Sequence, residues 1–148
     1  MKTRLMTALT LATMCAVGFS GDAVAAAERE TQASVSVTVK YTGKGPVNAT
    51  HRLWVWLFDT PEIGPGSMPI GQMDTDQNGA DVTFVGVAAP TVWIAVAYDE
   101  TGTMKGEGPP PSGTPIGIYA SATGAPEAVT TGAKQPTVLT FDDSQRMP

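Results

Sequence analysis

The chain has 148 residues, with 9 basic and 14 acidic side chains, a formal net charge of −5 and one cysteine. An acidic chain without a basic cluster lacks the electrostatic footprint that nucleic acids and anionic membrane surfaces require, so both are excluded as partners. One cysteine also excludes an intramolecular disulfide and a site built from several thiolates.

The first 25 residues are predicted to be a secretory signal peptide. Lys2 and Arg4 supply a basic start, an apolar stretch follows over residues 5–19, and Ala23-Val24-Ala25 offers the small-x-small pattern that signal peptidase accepts. The apolar stretch is too short to span a bilayer comfortably. We predict cleavage after Ala25 and release into the periplasm or the medium, with Cys15 lost in the leader.

Residues 26–33 are predicted to be a short linker, and residues 34–148 to be one domain. Loss of the leader reduces the 9 basic and 14 acidic residues to 7 and 13, a net charge of −6. About 120 residues is the size of one ordinary domain with a real core. The remaining sequence holds no second apolar stretch of membrane length, so no membrane span is expected after cleavage.

Short runs of β-branched and aromatic residues, separated by Gly/Pro turns, predict strands along the whole domain. In the first run, Val35, Val37, Val39 and Tyr41 alternate with polar residues, which is typical of a strand with one face in the core. The second run, Leu53–Phe58, is apolar on both faces. We therefore predict a central strand covered on both sides.

Further strands are predicted at residues 70–73 (a short edge strand), 82–85, 92–98, 116–119, 128–130 and 138–141. Two long loops run from Pro61 to Pro69 and from Asp99 to Ser112, and are predicted to be working surfaces, because loops on a rigid scaffold are free to vary and bind. Seven or eight strands and no helix predict an all-β fold, a single seven- or eight-stranded β-sandwich.

The middle of the chain resembles the transthyretin-like or carboxypeptidase-regulatory-like domains. In that family a T-D-x-x-G turn, here Thr75-Asp76-Gln77-Asn78-Gly79, leads into a strand with a central Phe, here Phe84, and then into a strand ending in an aromatic, here Tyr98. Ala88-Ala89-Pro90 departs from the Pro-Gly pair that is usual before a Tyr. The resemblance implies a sandwich of transthyretin-like or immunoglobulin-like type, usually without catalytic residues of its own.

Some transthyretin-like proteins hydrolyse 5-hydroxyisourate, using several histidines, an arginine and a C-terminal Tyr-Arg-Gly-Ser. This chain has a single histidine, His51, and ends Gln145-Arg146-Met147-Pro148. It also shows no recognisable set of nucleophile, base and orienting group. We therefore do not carry that activity over, and we predict that the protein is not an enzyme.

Asp74, Asp76, Asn78 and Gly79 spell the first half of a calcium loop. Alternating oxygen ligands can wrap a hard cation, and glycine permits the sharp turn. The glutamate expected at the twelfth position is missing, because Val85 stands there. A plain turn is therefore the favoured interpretation, and a weak calcium site through Asp74, Asp76 and Asn78 is the alternative.

Trp54 and Trp56 are two residues apart and so face the same side of one strand. Pointing inward, they are large core anchors; pointing outward, they form an aromatic platform on which a sugar could stack. Burial of at least one is favoured, because exposed aromatic patches are uncommon on soluble domains. The platform stays open as the alternative.

These observations predict a non-enzymatic, exported β-sandwich that acts as an interaction or accessory module in the bacterial envelope. Its partner would be an unknown protein or glycan, and no cofactor is expected. The alternatives are a carbohydrate-binding or calcium-binding module and, least favoured, a hydrolase of the transthyretin-like type.

Overall fold

The computed structural model describes residues 33–64 and 66–148. The predicted leader, and the linker up to residue 32, lie outside these residues. The described residues form eight strands and no helix: β1 Ala33–Tyr41, β2 Leu53–Phe58, β3 Gly71–Thr75, β4 Asp81–Val87, β5 Thr91–Tyr98, β6 Ile116–Ile118, β7 Val129–Thr130 and β8 Thr137–Phe141. The all-β prediction is confirmed.

The strands form two sheets that pack as a β-sandwich. The first has the order β4-β1-β8, in which β1 is antiparallel to β4 and parallel to β8. The second has the order β3-β2-β5-β6, with antiparallel pairing throughout, and β7 pairs with the start of β5. The connections from β1 to β2 and from β3 to β4 therefore cross from one sheet to the other.

The core between the sheets follows the predicted period-two burial. Each β1 side chain predicted to face inward is buried, and the facing strands contribute alternate apolar residues. The buried set comprises Val35, Val37, Val39, Tyr41, Leu53, Val55, Leu57, Val82, Phe84, Val92, Ile94, Val96, Tyr98, Val129, Leu139 and Phe141. This cluster supplies the main hydrophobic stabilisation of the fold.

Strand β2 is central and buried on both faces, as its uninterrupted apolar sequence indicates. All six of its residues are buried. Leu53, Val55 and Leu57 belong to the core between the sheets, and Trp54 and Trp56 belong to a second apolar cluster on the opposite face. The second sheet therefore has cover on both sides.

Strand β3 ends two residues later than the sequence indicates. Residues 70–73 were the expected extent, whereas β3 continues to Thr75. Pairing with β2 causes the extension, because the antiparallel ladder runs from Leu57 opposite Gly71 to Leu53 opposite Thr75. The turn after it begins at Asp76, and Gly79 has a φ of 78°, a conformation that glycine adopts without strain.

The two open sides of the sandwich differ in their hydrogen bonding. On the β6/β8 side the C-terminal segment bridges the sheets: Ile116 N donates to Gln145 O at 2.9 Å, and Met147 N donates to Thr114 O at 2.9 Å. On the β3/β4 side, each edge strand pairs only with its inner neighbour among the described residues. Residues 33–64 and 66–148 contain no helix of the length and apolarity that a membrane crossing requires.

Candidate functional site

Of the three side chains predicted to bind calcium, two have other partners and the third is exposed. Asp74 lies on β3, where its carboxylate is paired with the Arg52 guanidinium. The Asn78 amide accepts from Tyr41 N at 2.8 Å and donates to Tyr41 O at 2.7 Å, which joins the turn to the end of β1. Asp76 is exposed. The described residues contain no group of three acidic, histidine or cysteine side chains placed to hold a metal ion.

Millimolar calcium is expected to leave the melting temperature unchanged. Binding would require Asp74 to leave Arg52 and Asn78 to give up both backbone hydrogen bonds, and the ligand set would still be short of the usual six to eight oxygens. Thermal unfolding with calcium, and with magnesium at equal ionic strength, measures this. A rise in melting temperature with calcium alone would establish a site.

Trp54 and Trp56 lie beneath loops on the outer face of the second sheet. Their side chains are 8% and 5% exposed, and their rings are stacked at 6.3 Å between centroids and 20° between planes. Ile63 and Met104, from the two long loops, pack against the cluster. In this arrangement the pair is a second core and presents no open platform to a sugar.

The outer cluster includes two indole N–H groups with different environments. Trp56 Nε1 donates to Gln72 Oε1 at 3.0 Å. Trp54 Nε1 is buried and has no hydrogen-bond partner among the described residues. A Cβ at Gly106 would lie 2.4 Å from the Trp54 ring, so the loop from Asp99 to Ser112 passes directly over that indole.

Asp99 holds that loop against the sheet. It is the only buried charged residue in the described part of the chain, at 3% exposure. Its carboxylate accepts from Met104 N at 2.9 Å, from Thr103 N at 3.2 Å and from the Thr101 hydroxyl at 3.2 Å. These bonds satisfy the buried charge, so Asp99 has a structural role at the base of the loop.

A polar network fastens the C-terminal segment to the end of the sandwich. The Tyr41 and Tyr98 rings stack at 4.2 Å, and the Tyr41 hydroxyl donates to the Asp143 carboxylate. Arg146 makes a two-pronged contact with Glu100 at 2.8 and 3.1 Å. Burial, followed by the neighbouring Asp143 carboxylate, raises the pKa of Tyr41 far above its usual range.

The same network lowers the pKa of Asp143, first through the Tyr41 hydroxyl and then through Lys44 N at 2.8 Å. A carboxyl group with a lowered pKa in the folded state contributes stability above its unfolded pKa of about 3.9, and loses it as pH falls through the folded value. We expect Asp143→Asn and Tyr41→Phe each to flatten the loss of stability below about pH 4. Urea unfolding from pH 2 to pH 6 measures this; wild-type steepness in both variants would contradict it.

An apolar groove opens between the sheets on the β3/β4 side. It has a volume of about 350 Å³ and is lined by Leu57, Asp59, Ile70, Gly71, Phe84, Val85, Gly86, Val87, Ala88 and Ala89. Its floor depends on Gly71, since a Cβ there would lie 3.1 Å from the Phe84 ring. The volume falls within the range of small-ligand and side-chain pockets.

Exposed apolar side chains concentrate around this groove. The large hydrophobic residues exposed in the described chain are Met68, Ile70, Met73, Val85 and Val138. All but Val138 belong to β3, β4 or the residues just before β3, and Val85 is 82% exposed. Clustered exposed apolar surface marks interaction sites more often than single exposed residues do.

A β-bulge shapes the β4 wall of the groove. Val35 pairs with Phe84 and Ala33 with Val87, so Val85 and Gly86 together stand opposite one residue of β1. Gly86 has a φ of 75°, the left-handed conformation that such bulges place on glycine. The bulge breaks the regular alternation of β4 after Val85, next to the groove.

This groove was not predicted from the sequence. Its walls come from strands of different sheets, and the predicted working surfaces were the two long loops instead. The only sequence signals were a glycine at the start of β3 and a valine, Val85, at a position where period-two alternation predicts a solvent-facing residue. Comparisons with protein-family models, with curated proteins and with solved structures returned no significant match to this chain.

Proposed function

We propose that this protein is a non-enzymatic interaction or accessory module exported to the bacterial envelope. The observation that carries the proposal is the β3/β4 side of the sandwich. There an apolar groove, the exposed residues Ile70 and Val85, and two strand edges that no strand of residues 33–64 and 66–148 pairs with occur together. A partner that covers this side would remove the exposed apolar area from water.

The ionisable groups with shifted pKa values support a module without chemistry of its own. Tyr41, Tyr98, Asp143 and Arg146 belong to the network that ties down the C-terminal segment, and burial (for the tyrosines) or a hydrogen-bonded partner accounts for each shift. Asp142, whose pKa is lowered by hydrogen bonds from Ser144, lies in the same segment. Burial, with the Glu100 carboxylate second, raises the pKa of Tyr98. These residues lie away from the groove and serve the fold.

Export is supported by the sequence of the leader. We expect cells that make the full-length protein to yield a mature form beginning at Ala26, because Ala23-Val24-Ala25 fits the peptidase pocket. Intact-mass measurement of the periplasmic and medium fractions checks this. Full-length protein confined to the cytoplasm would contradict both the leader and the location.

We further propose membership of the transthyretin-like group of sandwiches. The T-D-x-x-G turn that carries the resemblance leads into β4, whose Phe84 is buried, and β5 ends at Tyr98, directly before Asp99. These positions agree with the motif. They support a shared architecture and carry no activity with them.

A photo-crosslinking residue at Ile70 tests the proposed function in the native host. Ile70 and Val138 are similarly exposed, at 47% and 51%, but Val138 lies on β8, at the far side of the three-stranded sheet. We expect discrete protein adducts from position 70 and none from position 138. Equal labelling at both positions, or none at position 70, would contradict a partner at the groove.

A further inference from the structure

We infer that the partner presents an extended segment that adds to the free edge of β3, with an apolar side chain in the groove and a Lys or Arg beside Asp59. This inference rests on the proposed function and specifies the chemistry of its partner. A strand added to a sheet edge gains affinity from main-chain hydrogen bonds and specificity from pockets for alternate side chains.

Two edge strands of the described residues, β3 and β8, lack the usual protection against strand addition, and of these two only β3 borders the groove. Natural edges are shortened, or carry proline, lysine or a bulge. Strands β6 and β7, at the opposite edge of the same sheet, have three and two residues, and β4 carries the bulge at Gly86. By contrast, β3 has five residues, Gly-Gln-Met-Asp-Thr, in unbroken register with β2.

The groove lies where an inward-facing side chain of the added strand would reach. Gly71 and Met73 stand opposite Leu57 and Val55, whose side chains point into the core between the sheets. A strand beside β3 would direct every second side chain toward the same layer. Gly71 and Phe84 both line the groove, so a side chain directed toward that layer would meet this apolar lining.

The basic residue of the partner is inferred from the negative charge of Asp59 beside the groove. Asp59 lines the groove, is exposed, and has no hydrogen bond or ion pair with the described residues. The domain is acidic overall, so a basic residue next to the apolar one is attracted by the local and the net charge. A second copy of β3 would bring no basic residue, since its only charged side chain is Asp74.

Selection from a displayed library of random nonapeptides on the purified mature protein tests this inference. We expect enriched peptides to alternate apolar residues and to contain Lys or Arg, and a selected peptide to slow hydrogen exchange of the β3 amides. By fluorescence anisotropy, Val85→Lys and Asp59→Asn should each weaken that peptide's binding about tenfold. Val138→Lys, the same change at a distant exposed valine, should leave it unchanged.

Several results would overturn the inference. These are enrichment of acidic or proline-rich peptides, no enrichment at all, binding that is indifferent to Val85→Lys, or dimerisation of the protein through β3. If position 70 crosslinks to a protein in cells while the selection gives one of these results, the proposed function stands and only the chemistry inferred for the partner fails. If position 70 does not crosslink, the proposed function itself fails.

Discussion

Val55→Asp is expected to unfold the domain. Val55 is fully buried in the middle of β2, with β3 on one side and β5 on the other, and its side chain lies between the two sheets. A carboxylate there would have no partner. Burying an unpaired charge lowers the free energy of unfolding by up to about 4–5 kcal/mol. A loss of that size approaches the whole stability of a domain at the lower end of the usual range of about 5–15 kcal/mol.

Circular dichroism and chemical unfolding measure the effect, and Val138→Asp is the matched control. Val138 is also a strand valine but is half-exposed, so its replacement is expected to change stability by less than about 0.5 kcal/mol. A Val55→Asp protein with a cooperative transition close to that of wild type would show that β2 is not the central strand.

Trp56→Ala is expected to destabilise the protein by about 3–5 kcal/mol, the usual cost of removing a large buried aromatic side chain. Trp56 is 5% exposed, stacks on Trp54 and donates to Gln72. An exposed platform for sugars would behave differently, because a solvated tryptophan can be truncated with little change in stability. The size of this effect therefore separates a second core from a carbohydrate platform.

Urea unfolding gives the magnitude, and tryptophan fluorescence gives an independent reading. Buried indoles are expected to emit at short wavelength and to resist quenching by acrylamide. Val85→Ala serves as the control, because Val85 is 82% exposed and its truncation should be nearly neutral. Near-neutral Trp56→Ala together with efficient quenching would contradict the covered cluster.

Local patterns were enough to predict the strands. The alternation of Val35, Val37 and Val39 specifies one buried face, and the uninterrupted apolar run of β2 specifies two. Each of these signals lies within one short stretch of chain. The end of β3 was missed because its last two residues are held by pairing with β2, which a local pattern does not contain.

The candidate site could not be predicted in this way. Its groove needs Gly71 from one sheet and Phe84 from the other, and nothing in either segment alone indicates that they face each other. The cover over the tryptophans was also missed, because Ile63 and Met104 lie in loops without periodicity. The ion pair between Asp74 and Arg52 could not be predicted either, because it joins the edge strand β3 to the turn before β2.

The parallel pairing of β1 with β8 makes the first and last strands immediate neighbours. The Tyr41–Asp143 contact at their ends joins residues 102 positions apart in the chain. Chains dominated by such distant pairings fold slowly, because a large loop must close before the contacts that reward it can form. A newly made chain therefore cannot complete this sheet until β8 has been synthesised, and until then one edge of β1 stays unpaired and prone to aggregation.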